Sequence, residues 1–274
     1  MKACLYLVPT PIGNLSDITL RALETLKRVD LIAAEDTRTT SKLLGHFQIA
    51  GKKLISYHKF NEQKRVAEII AALDSGSEVA IVSDAGSPGI SDPSQIMVRA
   101  AIQAGYQVCA LPGATAFVPA LTASGLDSAS FCFYGFLPAK AKDRWSILNK
   151  IKLSASTSIL YESTHHIRQT LEELLSVCGD RDVVLARELS KIYEEYVRGS
   201  LSEILADWQV KEKGEFVLLV AGAKPEPQLD EADLDDLIRE LKAQGKSNSE
   251  IVDKLTEAYP RNLVYRKVLA VKGK

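Results

Sequence analysis

Val79-Ala80-Ile81-Val82-Ser83-Asp84-Ala85-Gly86-Ser87-Pro88-Gly89-Ile90-Ser91-Asp92-Pro93 is the stretch on which the reading of this chain turns. It opens with a continuous apolar, largely β-branched run, the pattern of a strand buried on both faces. It continues with residues dominated by Gly, Pro, Ser and Asp, which bend the backbone sharply and leave its amides and carbonyls open to a ligand. A turn that merely joins two elements has no need of so many constrained residues. In an open α/β sheet the ligand site lies beyond the carboxyl ends of the strands, so this segment is the first candidate for a site.

Outward from it, short apolar runs alternate with amphipathic stretches. Strands are predicted at 3–8, 30–34, 53–57, 78–83, 107–111, 130–136, 157–161, 182–186 and 216–221. Helical faces lie between them, as with Val66, Ile69, Ile70 and Leu73, or Ile167, Leu171, Leu174 and Leu175. The first five strands are each followed by a plausible helix, which predicts a mostly parallel sheet with crossover helices. The small-residue segment from Pro112-Gly113 to Ser124-Gly125 links two such series. The expected organisation is an α/β domain over 1–115, a second over 116–223, and a helical extension over 224–274. Pro225 and Pro227, then Asp230, Glu231, Asp233, Asp235 and Asp236, form the linker and the acidic helix start of that extension.

Lys plus Arg number 34 and Asp plus Glu 35, so bulk charge does not make this a nucleic-acid-coating protein, although a local basic patch stays open. No apolar run approaches the roughly 20 residues that span a bilayer, so no membrane partner is expected and a cytoplasmic location is. Cys4, Cys109, Cys132 and Cys178 are widely spaced and read as reduced, small hydrophobes. With only His46, His58, His165 and His166 beside them, no metal-ligand spacing occurs.

Three further loops are unusual. Pro9-Thr10-Pro11-Ile12-Gly13-Asn14-Leu15 is a rigid turn without a dinucleotide or P-loop fingerprint. Leu111-Pro112-Gly113-Ala114-Thr115-Ala116 begins a helix with small residues that a ligand can approach. Ala34-Glu35-Asp36-Thr37-Arg38-Thr39 sets two carboxylates and an arginine at a strand end. Its structural reading has Asp36 capping the helix of residues 38–45 while Arg38 pairs with Glu35; its functional reading has the carboxylates holding a ribose hydroxyl and Arg38 a phosphate. His165 and His166 are expected to begin a helix capped by Ser163 or Thr164, and Glu194 and Glu195 to form a solvated face.

These segments, with Gly135-Phe136-Leu137-Pro138, Tyr161-Glu162-Ser163, Ala186-Arg187-Glu188-Leu189 and Gly214-Glu215-Phe216, resemble the ribosomal RNA small subunit methyltransferase I family of the tetrapyrrole methylase superfamily. The motifs occur in order over residues 5–221. The resemblance implies a two-domain, tetrapyrrole-methylase-like (class III) α/β fold, a homodimer, and S-adenosyl-L-methionine held between the domains. It implies methylation of the ribose 2′-hydroxyl of a cytidine at the decoding centre, with 16S rRNA or the 30S ribosomal subunit as partner. Carried over by motif, the cofactor contacts are Pro9, Gly13, Asp84, Ala85, Ser87, Thr115, Ala116, Leu160, Tyr161, Ala186, Glu215 and Phe216. Phe60 and His166 depart from the family pattern, Phe60 standing where a histidine is more usual and His166 where a basic residue is.

A ribose hydroxyl is a poor nucleophile until its proton is withdrawn, so a base is expected near the cofactor. Composition and family position nominate Asp36 and Glu35, then His58 and Glu62, with Arg38 on the nucleotide. For His58 the competing reading is a hydrogen-bonded histidine at a strand end. RNA contacts are expected from Lys140, Lys142, Arg144, Lys150 and Lys152, set against Asp143 and interleaved with Phe136 and Trp145. Residues 241–274 carry eight basic against three acidic residues, and two short helices after Ser247 resemble a helix-turn-helix offering Arg261 and Lys267. The alternatives are an exposed amphipathic helix and a solvated helical hairpin. At the level of function the rivals are a small-molecule, porphyrin-type methyltransferase and a non-catalytic ribosome-assembly factor.

Overall fold

Strand and helix alternate through the first part of the chain, as β1 (Cys4–Leu7), α1 (Leu20–Arg28), β2 (Leu31–Ala34), α2 (Thr37–His46), β3 (Lys53–Ser56), α3 (Glu62–Asp74), β4 (Val79–Val82), α4 (Gln95–Gln103) and β5 (Gln107–Ala110). The computed structural model describes residues 3–92, 94–211, 213–223, 231–256 and 259–271, with the backbone alone at 231–233. Pro93, Pro225, Pro227, Asp230, Glu257, Lys272 and Lys274 lie outside the described residues, as do the side chains of Glu231 and Asp233.

The first five strands form one parallel sheet in the order β3-β2-β4-β1-β5. Because side chains alternate along a strand, each strand feeds two layers. Val79 and Ile81 pack with Ile69, Leu73, Met97 and Ala101 of α3 and α4 on one face. Ala80 and Val82 pack with Ala22, Leu26 and Leu44 of α1 and α2 on the other. Ile81 and Met97 are at most 1% exposed, and burial of each such side chain contributes about 1.5–3 kcal/mol.

After α5 (Phe117–Thr122) the chain builds a second sheet from β6 (Phe131–Phe136), β7 (Thr157–Ser163), β8 (Asp182–Arg187), β9 (Glu195–Ser200) and β10 (Glu215–Val220), interleaved with α6 (Ala141–Leu153), α7 (Ile167–Cys178) and α8 (Leu201–Ala206). The order is β6-β7-β10-β8-β9; β6 and β7 are parallel, and β10 runs against both β7 and β8. Two points differ from the sequence reading. Glu194 is exposed as expected, but Glu195 is the first residue of β9, an edge strand antiparallel to β8, and pairs with Arg187. Charged and small residues in Glu195-Tyr196-Val197-Arg198-Gly199-Ser200 hide its strand character, and the same composition protects an edge from further pairing. Helix α7 starts at Ile167 with His166 as its N-cap and no side-chain capping bond, because β7 runs on to Ser163.

Both sheets belong to one compact unit, Met1–Ala223, and Lys224–Lys274 forms another. The second unit holds α9 (Glu231–Ala243), α10 (Asn248–Leu255) and α11 (Arg261–Ala270) around Leu234, Ile238, Ile251, Leu255, Val264 and Val268. Ser247 opens α10 with a reciprocal capping box to Glu250. No described helix is long and apolar enough to cross a membrane.

Candidate functional site

In the parallel sheet β1 lies between β4 and β5, and the crossovers reverse direction there: β1 to β2 runs one way, β4 to β5 the other. Such a reversal leaves a crevice at the carboxyl ends of the two central strands. The loops after β1 and β4 meet in it. Thr10 and Gly86 exchange two backbone hydrogen bonds of 2.9 Å, and Thr10 Oγ1 donates to the Ser83 carbonyl at 3.0 Å. Gly86 takes φ +83°, a conformation that side chains resist, and so turns the loop back on itself.

The second sheet closes the crevice. Tyr161, Ala186 and Val217, on β7, β8 and β10, line it, whereas Leu160, Leu185 and Leu218 pack away among α6, α7 and α8. Strand β6 bulges at Gly135, φ +66°, where an added Cβ would stand 3.0 Å from Ser91 Oγ; the bulge makes room for the β4 loop. Ser87 Oγ lies 2.6 Å from Thr115 Oγ1 and donates to the Ala114 carbonyl at 3.0 Å, joining that loop to the segment before α5. On the other side Lys191, in the turn after β8, pairs with Glu188 at 2.8 Å and Glu215 at 3.0 Å. An added Cβ on Gly13 would meet Lys191 Cγ at 2.5 Å, so the β1 loop and this turn fit closely.

The result is a cavity of about 420 Å³, within the range of about 300–1,000 Å³ usual for small-ligand sites. Its lining is acidic: Glu35, Asp84, Asp92, Glu162 and Glu215 against Lys191 alone among the described residues. Asp84 is held on both sides, its Oδ1 accepting from the Asp36 N–H at 3.0 Å and its own N–H donating to Glu35 Oε2 at 3.1 Å. Burial pushes the Asp84 carboxyl upward, with Glu35 and Asp36 adding to it, against the Asp36 N–H bond. Asp92 is pushed furthest, to about 7, by burial first and then by the charges of Glu35 and Asp84. Burial likewise raises the Tyr161 hydroxyl to about 12. A site of this charge attracts a cation, and its open backbone suits a ligand with several polar groups.

Of the residues nominated from sequence, Asp84, Ala85, Ser87, Thr115, Ala116, Tyr161, Ala186, Glu215, Phe216 and Glu35 line the cavity together. Pro9, Gly13 and Leu160 do not; Pro9 abuts Gly113, Gly13 abuts Lys191, and Leu160 faces the helices. Asp36 caps α2 through the Arg38 N–H at 2.8 Å and holds the Arg38 guanidinium at 2.6 Å; the Arg38 bonds lower its carboxyl to about 2. Arg38 therefore pairs with Asp36, not with Glu35. His58 and Glu62 follow β3, outside the lining.

Of the basic candidates Lys140, Lys142, Lys150 and Lys152 are exposed, as is Arg261. Arg144 turns inward, its side chain 14% exposed, with Nε donating to Glu173 at 2.6 Å and Nη2 to Thr170 Oγ1 at 2.7 Å. Thr170 in turn donates to Glu162 Oε2 at 2.7 Å, so Arg144 braces a wall of the cavity. Lys267 pairs with Asp235 at 3.1 Å. Asp92 and Lys191 line the site without having been assigned a role from sequence, and Phe136, expected with the basic stripe, is half-exposed at the same cavity. The signal for Asp92 was its place in a Gly, Pro and Ser loop at a strand end.

Residues 4–205 match the model of the tetrapyrrole (corrin/porphyrin) methylases. The chain belongs to that family. It is 47% identical over 268 residues to the ribosomal RNA small subunit methyltransferase I of Synechocystis, covering 96% of both chains. To the protein of the same name from Escherichia coli O157:H7 it is 50% identical over 230 residues, 82% of this chain and 79% of that one. Among solved structures the methyltransferase CobJ superposes with a TM-score of 0.60 at 19% identity, over 81% of this chain and 95% of its own. The uroporphyrin-III C-methyl transferase of Thermus thermophilus, solved with S-adenosyl homocysteine, superposes at 0.58 and 18% identity, over 80% and 97%. At those identities the tetrapyrrole methylase fold is what is shared.

Proposed function

We propose that this protein is an S-adenosylmethionine-dependent methyltransferase that methylates the ribose 2′-hydroxyl of a cytidine in 16S rRNA at the decoding centre. The observation that carries the reading is the acidic, loop-lined cavity at the reversal point of a tetrapyrrole methylase fold. Near-full-length relatives named for small-subunit rRNA methylation support the substrate.

The residues present fit the cofactor. Ala85, Ser87, Thr115 and Ala116 offer backbone groups and hydroxyls on one wall, while Tyr161, Ala186, Glu215 and Phe216 form the other. Asp84 and its neighbouring carboxylates match the cationic character of the donor; Pro9, Gly13 and Leu160 support the walls from behind. S-adenosylmethionine, when bound, supplies an electrophilic sulfonium methyl group. The chain's own residues orient the incoming ribose and remove its proton. Asp92 is suited to take that proton, because a carboxyl near 7 is a base at working pH that is not already saturated by a cation. Glu35 is the second candidate, whereas the Asp36 oxygens are both engaged by Arg38.

The exposed Lys140, Lys142, Lys150 and Lys152 suit a phosphate backbone. The reading takes the lobes as 1–115 and 116–223 with the extension 224–274, and the resemblance supports a cytoplasmic homodimer. Incubating the protein with labelled S-adenosylmethionine and either free 16S rRNA or 30S subunits, then mapping the label, tests it. Label on one cytidine ribose is expected. Label on a base, on a porphyrin-type small molecule only, or on nothing overturns it.

A further inference from the structure

The carboxyl rim of the parallel sheet carries an exposed aromatic ring that packing does not account for. Phe60 is 94% exposed, in the turn between β3 and α3. A large apolar side chain left this open on a mobile turn would mean little, but this turn is pinned. The His58 N–H donates to Asn61 Oδ1 at 2.8 Å, and the Asn61 N–H returns to the His58 carbonyl at 2.9 Å. Asn61 Nδ2 donates to the carbonyl and the hydroxyl of Ser56, each at 3.1 Å. The His58 ring, 3.2 Å from Asn61 Nδ2 through its Nε2, sits edge-on to Phe60 with centroids 6.1 Å apart. The backbone that carries the ring is thus already ordered on folding.

Two cations, one of them paired, stand on the same rim, along with Glu62 in the first turn of α3. Lys59 is exposed beside the ring, and Arg38, 86% exposed at the side chain, heads the helix after the adjacent strand. Its position relative to the cavity is set by the sheet. The Tyr57 N–H continues the ladder to the Ala34 carbonyl at 2.7 Å, so the turn stands one strand from Glu35 and two from Asp84. At about 4.8 Å per strand, the end of β3 lies ~10 Å across the sheet from the end of β4, where Asp84 begins the cavity loop. An aromatic face with cations around it is how proteins hold an unpaired base, through stacking that tolerates sequence while the cations meet phosphate.

We propose that Phe60 is a stacking platform for an unpaired base of the RNA substrate, a nucleotide flanking the one whose ribose enters the cavity, with Lys59 and Arg38 on its phosphates. This rests on the rRNA reading above, and two assays separate the failure of one from the failure of the other. The first is binding of 16S rRNA without methyl donor by wild type, Phe60→Ala and Phe60→Trp, beside calorimetry with S-adenosylhomocysteine. Loss of one stacked base weakens RNA affinity by roughly 5- to 150-fold, so Phe60→Ala is expected to fall in that range, Phe60→Trp to retain affinity, and both to bind S-adenosylhomocysteine as wild type does. The second is methyl transfer to 30S subunits, in which Phe60→Ala raises KM by a similar factor and leaves kcat nearly unchanged. Wild type that binds rRNA without methylating it ends the functional reading while the first assay still decides the stacking. Equal RNA affinity of wild type and Phe60→Ala, no RNA binding by wild type, or a Phe60→Ala variant altered only in its sedimentation, which marks a contact between protein copies, overturns the inference.

Discussion

Replacing Asp92 by Asn removes a carboxyl that the fold holds in an unfavourable place, and both stability and rate report it. Burial, with Glu35 and Asp84 nearby, moves this group from 3.8 to about 7. At 1.36 kcal/mol per pH unit that is ~4 kcal/mol against the ionised form, brought to ~2 kcal/mol by screening at a partly solvated site. The folded protein binds this proton more tightly than the unfolded chain does. The contribution to stability is therefore complete below pH 3.8, declines as the pH rises toward about 7, and is gone above it. Urea denaturation across that span is expected to find Asp92→Asn more stable than wild type by ~2 kcal/mol above about pH 7, the gap closing toward pH 4. If Asp92 takes the hydroxyl proton, the same variant loses roughly 10²- to 10⁴-fold in methyl transfer while its affinity for S-adenosylhomocysteine hardly changes. Wild-type affinity for the cationic donor should rise with pH through about 7, and affinity for the neutral product should not. A stability gap that is the same at every pH, or a variant with near-normal turnover, refutes the reasoning.

Other substitutions probe the walls and the surface. Gly113→Ala places a Cβ 2.6 Å from Pro9 Cβ and 2.9 Å from Pro9 Cγ, a rigid ring that cannot yield. Overpacking there should cost ~1–3 kcal/mol in denaturation and weaken S-adenosylhomocysteine binding measured by calorimetry. Arg144→Ala leaves Glu173 with Gln169 as its remaining partner and loosens Thr170 and Glu162, for a loss of ~2 kcal/mol, while Lys142→Ala stays within ~0.5 kcal/mol in the same melt. Affinity for rRNA should fall steeply with added salt, and each of Lys140, Lys142, Lys150 and Lys152 changed to Ala should lower the log-log slope by about 1. A flat salt response removes that surface from the binding site.

Much of the architecture was legible because burial writes a period of two or an unbroken apolar run into each strand, as in Val79-Ala80-Ile81-Val82. Strand β9 was not, since Glu195 pairs with Arg187 and Arg198 donates to the Ala123 and Ser124 carbonyls, and neither need leaves an apolar pattern. The site divides along the same line. Loops that meet through backbone, such as those of Thr10 and Gly86, carry glycine and proline in the sequence itself. Side-chain roles depend on partners far along the chain: Arg144 differs from Lys142 only because Thr170 and Glu173 stand opposite it on α7. Asp92 differs from Asp36 because the β4 loop is pressed toward the second sheet at Gly135, whereas Asp36 finds Arg38 two residues away. Leu160 and Tyr161 are adjacent in one motif, and the pleat sends one to the helices and the other to the cavity.

The distribution of charge adds a constraint of its own on how an RNA could be handled. Five carboxylates and one paired lysine line the cavity, so a phosphate entering it meets repulsion, whereas a sulfonium donor meets the reverse. Exposed cations stand outside the lining, at Lys59 on the rim and at Lys140 and Lys142 at the start of α6. A polyanion drawn to such cations and refused by the cavity can offer inward only its uncharged parts, a base or a ribose. Reversing the polarity at one wall tests that sorting: Glu215→Lys, exposed and 3.0 Å from Lys191, should weaken binding of S-adenosylmethionine more than that of its neutral product while leaving rRNA affinity equal or higher. If both cofactor forms weaken alike, the carboxylates act through shape and hydrogen bonds, and the electrostatic account of donor selection is wrong.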